Sequence, residues 1–213
     1  MNDQSKVQSP GTRERIIEAA RQLFFQQGYT ATGIAQILQE SGANSGSLYH
    51  FFPTKEDLLV AVLETYKEML GPYVIQPAYD RVSDPVERVF AILDGYRQQL
   101  FLTQFSLGCP IGNLALEISN SHPRVRQLVS ENFAGWCAAV ESSLQDAAGR
   151  FPPDVDVKRL SHHILATMEG AVMLARAYRD FQPFDDAVQQ LRDYFERLVA
   201  DGTDWSAPRP ESH

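Results

Sequence analysis

The sequence predicts an all-α fold of about nine helices, with a small N-terminal helix-turn-helix unit followed by a larger helical domain. Apolar residues recur at three- and four-residue steps along most of the chain. No alternating Val/Ile/Thr run reads as a strand, and proline, glycine and capping residues fall between the periodic stretches. At 213 residues, 44 % of them hydrophobic, the chain is long enough to bury the core of such an arrangement.

Residues 1 to 11 are polar and read as a disordered arm. The first helix spans residues 12 to 27, with Ile16, Ile17, Ala20, Leu23 and Phe24 on its inner face. Ile34, Ile37 and Leu38 make the inner stripe of a second helix, and Gly42 follows where a helix end needs a residue tolerant of positive φ. In the short third helix, residues 45 to 52, Leu48 and the Phe51-Phe52 pair dock inward. Asn44, Ser45, Ser47, Tyr49 and His50 stay available for phosphates or base edges. Pro53 ends that helix, and Thr54-Lys55-Glu56-Asp57 starts the fourth with a hydroxyl cap and an acid three positions on. Helix N-termini favour carboxylates, so Lys55 in the first turn is open to two readings, a phosphate contact there or one more solvated charge.

The fourth helix runs to about residue 69, links the two domains, and is disturbed by Gly71-Pro72 and Pro77. Asp84-Pro85-Val86-Glu87 supplies a cap, a first-position proline and an acid, opening a helix to about residue 103. Leu107-Gly108-Cys109-Pro110 interrupts it before a short helix over 111 to 119. His122-Pro123 opens a long helix ending near 149, Phe151-Pro152-Pro153 separates it from one starting about Asp156, and the last helix spans about 184 to 201. Residues 203 to 213, with Pro208 and Pro210, read as a disordered tail. The expected domains are therefore residues 12 to 54 and residues 55 to 202.

The run Gly46-Ser47-Leu48-Tyr49-His50-Phe51-Phe52-Pro53-Thr54-Lys55-Glu56-Asp57-Leu58 joins Phe24-Phe25-Gln26-Gln27-Gly28-Tyr29, Thr32 and Gly42. Together they resemble the DNA-binding domain of the TetR/AcrR family of bacterial transcriptional regulators, over residues 12 to about 63. The resemblance implies that Thr32, Ser47, Tyr49, His50 and Lys55 sit at DNA-contacting positions, mostly on phosphates, with Asn44 and Ser45 nearest the bases. The chain departs from the family pattern at Ser45, often lysine, at Gly33, often a second threonine, and at Leu38, often a small residue. The reading that follows is a homodimeric, ligand-responsive repressor, released from a palindromic double-stranded DNA operator by a small-molecule effector. An all-helical protein-interaction adaptor without DNA binding is the alternative, and salt-dependent binding to upstream DNA separates the two.

Leu160, Ile164, Ala171 and Leu174 on one late helix, and Val188, Leu191, Phe195 and Leu198 on the last, recur at three- and four-residue steps. They are expected at a two-fold seam, since one recognition helix reads too few base pairs alone. Phe101, Phe105, Cys109, Asn113, Phe133, Trp136 and Met168 are the candidate lining of an effector cavity. Glu117, four residues after Asn113 on the same short helix, is a further polar candidate. Cys109 lies just before a helix N-terminus, where a thiolate sensor and a buried space-filling thiol are both open readings.

The net charge is −8, and even residues 1 to 70 hold six Lys/Arg against eight Asp/Glu, so any basic footprint is local, with Arg13, Arg15 and Arg21 on the first helix. No glycine-rich phosphate loop, nucleophile elbow or paired-carboxylate constellation occurs, so no catalytic residue, enzyme activity or cofactor is expected. His162-His163 point about a hundred degrees apart on a helix and make no joint metal site. Two cysteines without ligand spacing, and no apolar run of membrane-spanning length, lead to the expectation of a cytoplasmic protein without a membrane partner.

Overall fold

The computed structural model describes residues 10–118 and 120–201, the last two as backbone only. The expected arm and tail lie outside the described residues, apart from Pro10 and Gly11. Every regular element among the described residues is helical: α1 (Thr12–Gln27), α2 (Ile34–Ser41), α3 (Ser45–Phe51), α4 (Lys55–Met69), α5 (Gln76–Arg81), α6 (Pro85–Leu102), α7 (Pro110–Ile118), α8 (Pro123–Asp146), α9 (Val157–Tyr178) and α10 (Gln182–Asp201). α4 passes through a π-helical turn, Leu70–Ile75, straight into α5, so the ten segments form nine separate rods among the described residues. Pro72 lacks an N–H and crowds the preceding turn, and here the helix widens around it instead of ending.

The capping chemistry accounts for where the helices begin. Asp84 accepts from the N–H groups of Val86 at 2.9 Å and Glu87 at 3.0 Å, with Pro85 in the first helical position. Asp156 accepts from Arg159 N–H at 3.0 Å, and Thr54 and Asp57 exchange backbone-to-side-chain bonds at 3.1 Å as a capping box. α10 starts two residues earlier than the apolar pattern indicates, because the Asp180 carboxylate accepts from Gln182 N–H and caps the turn there.

The chain divides into two compact units, bounded Met1–Tyr66 with Asn113–Val129, and Lys67–Gly112 with Ser130–His213. The first unit thus extends past residue 54 and recruits a distant stretch of chain. Leu58, Leu59 and Leu63, all fully buried, hold the front half of α4 in that unit. Ile16, Ala20 and Phe24 of α1, Ile37 of α2, and Leu48 and Phe52 are the buried side chains that bring α1, α2 and α3 together.

The second unit is built on α6, α8, α9 and α10, with Phe90, Leu93, Leu100, Trp136, Leu144 and Phe184 among its buried residues. Most of the expected seam residues contribute to this core. Leu160, Ile164, Ala171, Leu191 and Phe195 are buried in this core, and Val188 and Leu198 pack against it, half-buried. The stripe they form is the one that covers α6 and α8, since each helix must first bury its own apolar face. Of the eight, Leu174 alone is exposed, and Met173, Tyr178 and Tyr194 are exposed on the same two helices.

Candidate nucleic-acid interface

The short α3 is shaped by its two ends. Gly42 takes the left-handed conformation, φ 62°, that turns the chain out of α2, and the Asn44 side chain accepts from Ser47 N–H at 2.8 Å to start α3. Leu48 is fully buried and Phe52 nearly so, which seals one face and leaves Ser45, Gly46, Tyr49 and His50 facing solvent, with Ser47 half-buried. Phe51, expected to dock with Phe52, is instead 39 % exposed. An exposed polar and aromatic face over a sealed apolar one suits hydrogen bonding to phosphate and base edges.

Two of the expected DNA-contacting residues are turned inward. Thr32 is buried: its hydroxyl donates to Gly28 O at 2.6 Å and accepts from the Gln27 amide at 3.2 Å, so it closes the loop between α1 and α2. The Lys55 ammonium, expected on a phosphate, donates to Tyr29 O and lies 4.2 Å from the Tyr29 ring centroid. Burial lowers its pKa against the opposing pull of Glu117. The Asn44 oxygen is likewise committed to the α3 cap, leaving its amide nitrogen as the group that can reach outward. The basic footprint is thinner than the sequence indicates. Arg21 forks onto Glu18 at 2.7 and 2.6 Å, Arg15 donates to Ser41 O at 3.1 Å, and Arg13 rests over the Phe52 ring.

What holds the α1–α2 loop comes from 88 residues away. The Glu117 carboxylate of α7 accepts from Tyr29 N–H at 3.0 Å and Thr30 N–H at 2.6 Å. Burial works to raise its pKa, but these N–H groups and the Lys55 charge outweigh it, and the carboxyl titrates below its ordinary value. Gly28 at φ 89° makes room: a Cβ there would sit 3.0 Å from Glu117 Oε2. Arg124 of α8 pairs with Asp57 at 2.7 Å, and His122 meets the Tyr29 ring edge-on at 5.6 Å. Glu117, entertained from sequence as an effector contact, is therefore a backbone clamp within the DNA-reading unit. Its position on an otherwise apolar helix was the available signal; the partner was not.

In the second unit the candidate effector residues do not converge on one cavity. Phe101 is 60 % exposed at the end of α6, where Phe181 is its aromatic neighbour at 6.4 Å between centroids. Phe105 packs on Phe181 at 4.6 Å, Met168 is ordinary buried core, and Phe133 is half-buried on α8. Asn113 belongs to the first unit and already has a partner. The chain leaves α6 through Gln104 and Phe105, both with positive φ, held by Arg179 on Gln104 O at 2.9 Å and Arg176 on Ser106 O at 3.2 Å. Cys109 and Trp136 are buried beside Tyr96 and Glu169.

Burial, and after it the Glu169 carboxyl, pushes the Cys109 thiol well above its ordinary pKa, and burial raises that of Cys137. This favours the buried, space-filling reading of Cys109 over a resting thiolate, because the helix N-terminus contributes less than desolvation and an adjacent acid. Ellman's reagent at pH 8 should therefore titrate neither thiol until the chain is unfolded. Rapid modification of one equivalent in the folded protein would contradict this assignment.

Two family models match the chain: bacterial regulatory proteins of the tetR family over residues 16–62, and the tetracyclin repressor-like C-terminal domain over residues 85–191. The helix-turn-helix transcriptional regulator YxaF of Bacillus subtilis is 34 % identical over 180 residues, covering 84 % of this chain and 93 % of its own. The transcriptional repressor DhaR of Mycobacterium sp. strain GP1 is 25 % identical over 189 residues, covering 88 % and 92 %. A crystal structure of a TetR transcriptional regulator from Chloroflexus aurantiacus superposes with a TM-score of 0.76 at 33 % identity, covering 88 % of this chain and 96 % of that one. The first match spans the capped α2–α3 turn and the second spans most of the core of α6, α8 and α9, so the chain belongs to the tetR family and is a transcriptional regulator with a DNA-binding helix-turn-helix.

Proposed function

We propose that the chain is a homodimeric repressor that holds a palindromic operator through paired α3 helices and releases it when a small molecule binds the second unit. The observation that carries this is the division of α3 into a sealed face, Leu48 with Phe52, and an open face of Ser45, Tyr49 and His50. The repressor role rests on likeness to DhaR, and the protein acts in the cytoplasm. Among the described residues no helix is long and apolar enough to cross a membrane.

In this reading the two-fold seam uses the outward side of α9 and α10. Met173, Leu174 and Tyr194 are exposed there, and two open grooves of about 470 and 390 Å³ share His163 and Tyr194 as a common wall. A partner's side chains fit into such grooves as ridges fit between helices.

The test is binding to DNA from upstream of its own coding region, followed by fluorescence anisotropy across a salt series. The expected result is an affinity that falls with salt by ~0.9 logarithmic units per phosphate contact. Tyr49→Ala and His50→Ala should each weaken binding to all sequences, by about 1 kcal/mol, while Ser45→Ala should alter the consensus recovered by in vitro selection. Salt-independent binding, or no binding to duplexes carrying a selected site, would remove the operator from the account.

A further inference from the structure

Glu169 is the sole acid of α9, and its Oε1 is buried without a hydrogen-bond partner among the described residues. The indole Nε1 of Trp136 on α8 is in the same condition. The Tyr96 hydroxyl of α6 is directed at the indole nitrogen and the Cys109 thiol at the carboxyl, both outside good hydrogen-bond geometry for Nε1 and Oε1. On the other side lies Gly112, in the first turn of α7, where a Cβ would collide with Glu169 Oε2. All five residues belong to the second unit.

This acid lacks what several of the chain's other acids have. Glu18, Asp57, Glu131 and Asp185 each hold an arginine or lysine within 2.7 Å. No lysine, arginine or histidine pairs with Glu169 among the described residues, and Arg176, two turns along α9, is directed at Ser106 O. The groups that face the carboxyl are Cys109 and Tyr96, which carry no positive charge in any protonation state. An uncompensated buried carboxyl and an unpartnered indole N–H both destabilise the unit that contains them.

We propose that Glu169, Tyr96 and Trp136 form the recognition end of the effector site, and that the effector is an organic cation on an apolar or aromatic body. The missing partner of Glu169 is a positive charge. The rings of Tyr96 and Trp136 favour a cation over their faces, and the indole N–H, which lacks a partner in good geometry, donates to an acceptor elsewhere on the same molecule. Burial holds the carboxyl's pKa above its ordinary value and a cation beside it draws that pKa down, so over the pH range between the two values binding releases protons to solvent and the carboxylate pairs with the ligand. The inference rests on the ligand-responsive reading given above, and its test is run without DNA so that the two fail separately.

Titration calorimetry on the full-length protein would compare tetraphenylphosphonium and benzyltrimethylammonium with neutral triphenylphosphine oxide. The expected result is a cation bound about tenfold or more tightly than the neutral probe, proton release seen as a dependence on buffer ionisation enthalpy, and affinity falling as pH is lowered. E169Q should abolish both the preference and the proton release. Glu169→Met, which keeps the volume and removes the lone acid, should raise the melting temperature by about 2–4 °C. Absence of cation binding, a preference that survives in E169Q, or a lowered melting temperature in Glu169→Met would each overturn the proposal. Tighter, pH-independent binding of the neutral probe would overturn it while leaving the ligand-responsive reading intact.

Discussion

Phe195→Glu should unfold the second unit instead of separating a dimer. The Phe195 ring is 3 % exposed and meets Phe90 at 5.6 Å and Phe151 at 6.0 Å, while Arg192 caps Phe90 from outside at 4.0 Å. Losing such a ring costs about 3–5 kcal/mol, and placing a carboxylate in the space adds the cost of a buried unpaired charge. Together these approach the whole stability of an ordinary domain, about 5–15 kcal/mol. Circular dichroism should report a large drop in melting temperature or no cooperative transition. Leu174→Glu is the contrasting variant: at 41 % exposure its side chain contributes little to the protomer, so the melting transition of the unit should persist while sedimentation shifts to monomers. A folded Phe195→Glu monomer, or an unfolded Leu174→Glu chain, would reverse the assignment of inner and outer faces.

Glu117→Ala should weaken operator binding although residue 117 lies far from α3 in sequence. Its carboxylate satisfies the N–H groups of Tyr29 and Thr30 and faces Lys55, so its loss frees the α1–α2 loop and leaves the Lys55 ammonium with one fewer compensating charge. Bonds of this charged type contribute about 1.5–3 kcal/mol when buried; with part of the carboxylate open to water, about 1–2 kcal/mol is expected for the pair. Hydrogen exchange should show faster exchange at Tyr29 and Thr30, with about tenfold weaker DNA binding. The pH dependence has a definite sign. Because the folded carboxyl titrates below its ordinary value, its contribution is complete above the unfolded pKa, about 4.3, and is lost as pH falls through the lower folded value. Glu117→Ala should remove that part of the acid destabilisation, and an unchanged profile with unchanged exchange at residues 29 and 30 would assign the clamp no energetic role.

The local chemistry of the sequence was legible and the pairing of distant groups was not. Asp84-Pro85, Asp156, the Thr54-Asp57 box and Gly42 each act within four residues, so the helix starts and the turn could be read directly. The spacing of Leu160, Ile164, Leu191 and Phe195 showed one apolar stripe per helix, but periodicity carries no label saying whether that stripe meets the chain's own core or a second copy. Lys55 and Thr32 looked available because sequence shows a charge or a hydroxyl without the carbonyl that engages it. Glu169 carried a signal that could have been used: between Leu160 and Ala175 of α9 it is the one acid, and apart from His162 and His163 the one titratable group, among apolar and small residues. Its neighbours Tyr96, Cys109 and Trp136 lie 33 or more positions away, beyond any local pattern.

The DNA-reading unit is closed by chain that is synthesised long after its own helices. Tyr29 N–H waits for a carboxylate 88 residues downstream, and the unit is complete only at Val129. During translation, at about 5–20 residues per second, the recognition helix is therefore exposed for several seconds before its loop can be clamped. A fragment ending at Tyr66 would carry the whole helix-turn-helix and lack Glu117, Arg124 and the buried Leu114, Ile118 and Val125. Grafting the first 66 residues onto another helical domain would therefore transplant the reading head without its brace, and a chimaera that keeps operator affinity should need residues 113 to 129 as well.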